Sequence, residues 1–291
     1  PSLLDMDIFC VYFIGASSKP ASTGFTNTSM MQLRKKILLY TTIGIPIMNV
    51  KDGLRPFSKQ ELQAFAENVW TVDGPNVRDF GLTFTTRMMV VKLIDGSVWV
   101  NSPVPVPFET LKQITALGPV KYVLAATPRH VWRLEGWHAL FPEAQLWAPR
   151  ATPFTLKKGN LPFTGILSDA PEHGWADDFD QLAFKGSPFI EEILFFHKES
   201  RTVIMDDLIQ INPMMEGKPL QNALFKLDGA AQPYGGVPLD IRLAFTNRKL
   251  ARRSLEELFC WDFDKLIIAH GDCINKDAKP FVERAFRWLL H

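Results

Sequence analysis

From Glu61 onward the chain alternates short apolar runs with polar punctuation. Val69-Trp-Thr-Val72 stops at Asp73-Gly74, and Met88-Met-Val-Val-Lys-Leu-Ile94 turns through Asp95-Gly96 into Ser97-Val-Trp-Val-Asn101. An Asp-Gly pair between two such runs is a strong hairpin signal, because glycine supplies the positive φ that a tight turn needs. The region therefore opens with antiparallel strands. Leu111, Ile114 and Leu117 then recur at helical spacing across residues 108–117, leading into an apolar strand at 120–126. A second amphipathic helix is predicted at 133–141, with Leu134, Trp137, Leu140 and Phe141 on one face, followed by a strand at 145–148. Three more strands follow at 180–185, 191–197 and 201–205, the last two joined by a tight turn at Lys198-Glu199-Ser200. The chain closes with a helix at 247–259, a buried strand at 265–269 and a helix at 278–290. Alternating strands and helices, with no internal repeat, point to a layered α/β domain.

The first 60 residues differ in character. They carry seven basic side chains (Lys19, Arg34, Lys35, Lys36, Lys51, Arg55, Lys59) against three acids (Asp5, Asp7, Asp52), and a Ser/Thr/Gly/Pro stretch at 15–29 reads as loop. Residues 31–48 run from basic to apolar, the order of a targeting segment, but Gly44 and Pro46 interrupt the run and no small-residue cleavage site follows. A targeting segment and an irregular extension both fit. The expected organisation is an N-terminal extension at 1–60 and one domain at 61–291.

Composition narrows the function classes. With 46% hydrophobic and 22% charged residues the 291-residue chain has the make-up of a globular protein, and a net charge of +1 leaves no excess to neutralise a nucleic-acid backbone. Cys10, Cys260 and Cys273 form no metal-binding or disulfide pattern, which favours a reducing, cytoplasmic setting. No apolar stretch is long enough to span a membrane. The expected partner is a small molecule of unknown identity, and the oligomeric state is open. There is no GxGxxG or GxxxxGK[ST] motif for a nucleotide, and no GxSxG elbow; Ser102, in Asn101-Ser-Pro103, stands without a nucleophile motif.

Chemistry concentrates where apolar strands end. The run at 120–126 leads into Thr127-Pro-Arg-His130, the run at 203–205 into Asp206-Asp207, and the run at 266–269 into His270-Gly-Asp272. Side chains at the carboxyl ends of neighbouring strands converge on a crevice in layered α/β folds. Taken singly, each residue also fits a structural role: a histidine satisfied in the core, or Asp206-Asp207 capping the turn at Leu208.

In this order these residues resemble the metallo-β-lactamase-like superfamily, and most closely its DUF4336 branch, over roughly residues 67–291. The superfamily pattern places Thr-His-x-His-x-Asp-His after a strand; here Thr127 is followed by Pro128-Arg129-His130-Val131-Trp132-Arg133, with Gly136 at the trailing glycine. Ser187 in Gly186-Ser187-Pro188 stands in place of a later histidine ligand, Asp207 in place of the bridging aspartate, and His270-Gly271 in place of the terminal histidine element. The resemblance implies an αββα sandwich, and zinc chemistry in which an ion polarises a substrate carbonyl or phosphoryl group. It implies His130, Asp207 and His270 as metal ligands, and these three with Arg133 as the catalytic set.

The departures weaken that site. Pro128 and Ser187 remove two ligands of the first position, and Trp132 and Arg133 two of the second, so each keeps two where a catalytic zinc commonly has three. Arg133 either pairs with Asp207 in place of a cation or starts the helix facing solvent. On this count no cofactor is expected, with zinc at low occupancy as the exception. His173 in Pro171-Glu-His-Gly-Trp175 is a reserve ligand, and Trp132, Trp137 and Trp175 are candidates to line an apolar pocket. Two functions follow: a hydrolase-like protein with a degenerate metal site, or a metal-free binding or scaffold protein on the same fold.

Overall fold

The computed structural model describes residues 60–150 and 161–290; the loop stretch at 15–29, the segment at 31–48 and His291 lie outside the described residues. Two β-sheets face each other. The first has seven strands in chain order: β1 (Gln63–Ala66), β2 (Val69–Asp79), β3 (Leu82–Lys92), β4 (Val98–Asn101), β5 (Val120–Leu124), β6 (Gln145–Ala148) and β7 (Phe163–Ile166). The first four pair antiparallel, and β4 to β7 pair parallel. The second sheet runs β11-β10-β9-β8, from β8 (Phe179–Phe184), β9 (Glu192–His197), β10 (Thr202–Met205) and β11 (Lys265–Ile268). Only β10 and β11 pair parallel there.

Helices cover both outer faces. Helix α1 (Phe108–Leu117), a 3-10 turn (Pro128–Arg133) and α2 (Leu134–Leu140) belong to the first sheet's crossovers. Helices α3 (Pro219–Asp228), α4 (Leu239–Ala244), α5 (Arg248–Phe259), α6 (Ala278–Ala285) and α7 (Arg287–Leu290) come from the second half of the chain. Among the described residues no helix is long and apolar enough to cross a membrane.

The unbroken apolar runs are explained by burial on both faces of each strand. Because side chains alternate, Met89, Val91 and Trp99 point between the sheets toward Phe179, Phe195, Ile204 and Ile267. Their neighbours Met88, Val90, Val98 and Val100 point outward under Leu111, Ile114, Leu134 and Trp137. The second sheet repeats the device: Leu194, Phe196, Val203 and Met205 pack under Leu255, Leu258, Val282 and Phe286. These three apolar layers make the expected αββα sandwich.

Local departures have local causes. Asp73-Gly74 does not end a strand: β2 runs on to Asp79 through an irregularity between Gly74 and Val77. Glycine is needed there for close approach, since a Cβ would stand 2.4 Å from Thr86 Oγ1 and 2.7 Å from Val104. Asp95-Gly96 does turn the chain, with Gly96 at φ +81° and the Asp95 carboxylate accepting the Ser97 N–H at 2.8 Å. The helix foreseen at 133–141 starts earlier, as the 3-10 turn capped by Thr127. The closing helix breaks at Phe286, which is buried against Phe184 and Trp288.

His197 ends β9 within this core, 2.8 Å from the Ser200 hydroxyl and edge-on to Phe179. Burial pushes its pKa down to about 4, so its stabilising contribution is complete above about 6.5 and is lost as pH falls toward 4. The shift corresponds to about 3 kcal/mol. Urea unfolding between pH 7 and 4 should therefore show a steeper loss of stability in the parent than in His197→Gln; parallel pH profiles would refute this.

Candidate metal centre

Four strands deliver the polar residues to one rim. β4 ends in Asn101-Ser102, β5 leads to Thr127 and His130, β10 to Asp206-Asp207, and β11 to His270. β4 and β5 are parallel, as are β10 and β11, so each pair presents its carboxyl ends side by side. One donor atom from each of His130, Asp207 and His270 falls within 4.8 Å of the others. The three residues that the motif count divided between two positions sharing Asp207 thus lie in one group.

Asp207 is its centre. Its Oδ1 lies 3.0 Å from His270 Nε2 and 3.5 Å from His130 Nε2, while Oδ2 accepts the Thr127 hydroxyl at 3.0 Å. The Thr127 oxygen in turn accepts the Arg129 N–H, which caps the 3-10 turn carrying His130. His270 is oriented from behind by the Thr85 carbonyl, 2.6 Å from Nδ1. The next residue, Gly271, has φ +102°, and a Cβ there would meet Ile211 O at 1.9 Å. Only glycine lets the chain pass that backbone while the Ile211 N–H bonds the His270 carbonyl at 3.0 Å. His130 Nδ1 lies 2.7 Å from Ser102 Oγ and 3.1 Å from Asp206 Oδ2.

A fully buried glutamate holds both aspartates in place. Glu192 accepts the N–H of Asp206 at 2.7 Å, of Asp207 at 2.9 Å and of Leu208 at 2.8 Å. Burial and the neighbouring Asp207 and Asp206 charges push its pKa up, while the donated N–H groups of Asp206 and Asp207 hold it down. Burial alone would lower the His130 pKa, but Asp207 and Asp206 raise it to about 10. Burial would raise Asp207, yet His130 and His270 hold it well below the usual carboxylate range. His130 and Asp207 thus stabilise each other's charged forms.

Other expectations fare differently. Arg133 lines the same cleft as His130, His270, Ser102 and Arg87, where burial lowers its pKa to about 10. His173 is exposed and outside the cluster, and Ser187 uses its hydroxyl to accept the Phe189 and Ile190 N–H groups. Trp137 and Trp175 are core residues rather than pocket walls; the side chain of Trp132 lies outside the described part. Sequence reasoning missed Glu192, Asn101, Thr85 and the partnership of Ser102 with Asp206. A carboxylate opening the apolar run Glu192-Ile-Leu-Phe-Phe was the one available signal, since an acid entering a buried strand needs donors waiting for it.

The family model described as "Domain of unknown function (DUF4336)" matches residues 66–223. The chain belongs to the DUF4336 family. No curated protein matches this DUF4336 chain by sequence. Among solved structures it is similar to a putative diflavin flavoprotein A 5 fragment from Nostoc sp. PCC 7120, with 13% identity and a TM-score of 0.56, covering 79% of this chain and 95% of that one. It is also similar to DIM-1 metallo-β-lactamase, with 13% identity and a TM-score of 0.52, covering 82% and 100%. A third is the metal-soaked Flv1 flavodiiron core of Synechocystis sp. PCC6803, with 11% identity and a TM-score of 0.54, covering 79% and 61%. The fold of this DUF4336 member is therefore that of the metallo-β-lactamase-like proteins.

The Glu192 contacts generate a stability prediction. Glu192→Gln replaces one accepting oxygen by an NH₂ that faces backbone donors, leaving at least one buried N–H unpaired. Stability should fall by about 3 kcal/mol, read as a lower urea midpoint at unchanged slope; a loss below about 0.5 kcal/mol would show that the nest does not carry Asp206 and Asp207.

Proposed function

We propose that this chain is a hydrolase-like protein whose metal site is reduced to a single ion position, held by His130, Asp207 and His270. The carrying observation is the facing of His270 Nε2 and Asp207 Oδ1 at 3.0 Å. His270 Nδ1 meets a carbonyl and so carries the ring's proton, which leaves Nε2 in the neutral ring as a lone pair aimed at a carboxylate oxygen. Two acceptors at that distance need a cation or a further proton between them. Two imidazole nitrogens and one carboxylate oxygen form a donor set that suits a divalent transition ion, and three protein donors are the usual complement of a catalytic zinc. Such an ion would supply Lewis-acid polarisation of a substrate oxygen.

The chain's own groups have separable tasks in this reading. Thr127 orients Asp207, the Thr85 carbonyl orients His270, and Arg133 brings positive charge to the cleft wall beside the centre. The similarity to a metallo-β-lactamase and to a metal-soaked flavodiiron core supports a metal-handling ancestry. A metal-free scaffold is the second reading, favoured by the strong hold of Asp207 and Asp206 on a protonated His130.

Elemental analysis and zinc titration calorimetry of the full chain, purified without chelators, separate the two. The metal reading expects about one zinc per chain, weakened at least about tenfold by His130→Ala and by His270→Ala. A parent that takes up no zinc, iron or manganese overturns the single-ion reading in favour of a metal-free one.

We also propose that residues 1–60 are an extension to a domain at 61–291, supported by the family match beginning at residue 66. The Gln60 carbonyl accepts the Thr110 hydroxyl and its amide donates to Pro105 O at 3.2 Å, so a shortened chain should keep this residue. A chain starting at Gln60 should unfold cooperatively within a few degrees of the full chain; a molten product would place the extension in the core.

A further inference from the structure

Ser102 follows directly on β4 in an unusual backbone conformation. Its φ is +52°, in the left-handed region that non-glycine residues seldom adopt. That twist carries the hydroxyl beneath His130, where Oγ donates to Asp206 Oδ2 at 2.5 Å and lies 2.7 Å from His130 Nδ1. The other Asp206 oxygen accepts the Asn101 side-chain amide at 2.9 Å, and the Asn101 carbonyl oxygen accepts the Ala126 N–H at 3.0 Å. Ser102 Oγ also lies 3.4 Å from Asn101 Oδ1, a far longer contact than the one to Asp206. The serine hydroxyl has one proton, and the carboxylate takes it. His130 Nδ1 consequently faces two acceptors, Ser102 Oγ and Asp206 Oδ2, and must itself carry a proton.

From this proton count we propose that Ser102 and Asp206 are positioning residues that fix His130 in its Nδ1–H form and thereby present Nε2 to Asp207 and His270. The consequence for metal affinity rests on the single-ion reading above; the assignment of the proton does not. The same count denies Ser102 a nucleophilic role, since His130 Nδ1 has no lone pair with which to take its proton.

The test uses the full chain with ¹⁵N-labelled histidine, first without metal and then titrated with zinc, the His130 signals being assigned by His130→Ala. In the parent, His130 should show a proton bonded to Nδ1, whether the ring is neutral or charged. In Asp206→Asn, Asn101 still calls for a carbonyl oxygen at the Oδ1 position. The new NH₂ therefore points at His130, and the Nδ1-bound proton should disappear. Zinc affinity should fall by about tenfold to a hundredfold, because the ring's proton moves to the ligating nitrogen. If Asp206→Asn does not fold, Ser102→Ala serves: it removes one of the two acceptors and should shift the Nδ1-bound proton resonance, whereas Ser102→Thr should restore it.

An unprotonated Nδ1 in the parent, an unchanged resonance in these variants, or covalent labelling of Ser102 by a fluorophosphonate would each overturn the proposal. A parent with the expected Nδ1 proton that binds no zinc would leave this assignment standing and defeat only the single-ion reading.

Discussion

The rim of this molecule is organised by one buried carboxylate. Glu192 opens β9 and accepts three consecutive backbone N–H groups at the turn after β10. Those groups would otherwise be unpaired in a water-excluded interior, and an isolated glutamate there would be equally unfavourable; each resolves the other's desolvation. The result is a rigid turn from which Asp206 and Asp207 leave in different directions, one toward Ser102 and His130, the other toward Thr127 and His270. The geometry of the centre follows from that divergence.

Around it, each functional side chain is held by a group that is unremarkable in sequence: a carbonyl for His270, a hydroxyl for Asp207, a hydroxyl and a carboxylate for His130. Such partners decide which ring nitrogen is free, and so whether a cluster of histidine and aspartate faces inward as ligands or closes on itself as hydrogen-bonded pairs. Arg133 adds charge to the cleft that His130 and His270 line. His130, Asp207 and His270 come together at the rim with a supporting hydrogen bond to each.

Much of the framework was legible in the chain. Apolar runs of four to seven residues bounded by turn chemistry located β3 to β6 and β8 to β11, and helical spacing located α1, α2 and α5. These features are local: periodicity and the turn at Asp95-Gly96 need no distant partner to be read. The misreadings share a cause. Gly74 reads as a turn because nothing in its neighbourhood shows that Thr86 and Val104 will press against it, and β1, β7, α3 and α4 lack a clear period because they pack on edges or expose leucines such as Leu220 and Leu227.

The sequence by itself determined the layered α/β class, the order of strands and helices, and the residues at strand ends with chemistry to offer. Only the tertiary structure decided that His130, Asp207 and His270 meet, that Arg133 lines the cleft shared by His130 and His270, and that Glu192 and Ser102 belong to the same network. The physical reason is that these contacts join residues on different strands and in different sheets. A side chain's partner across such a gap is set by how two sheets pack, and no spacing along the chain records it.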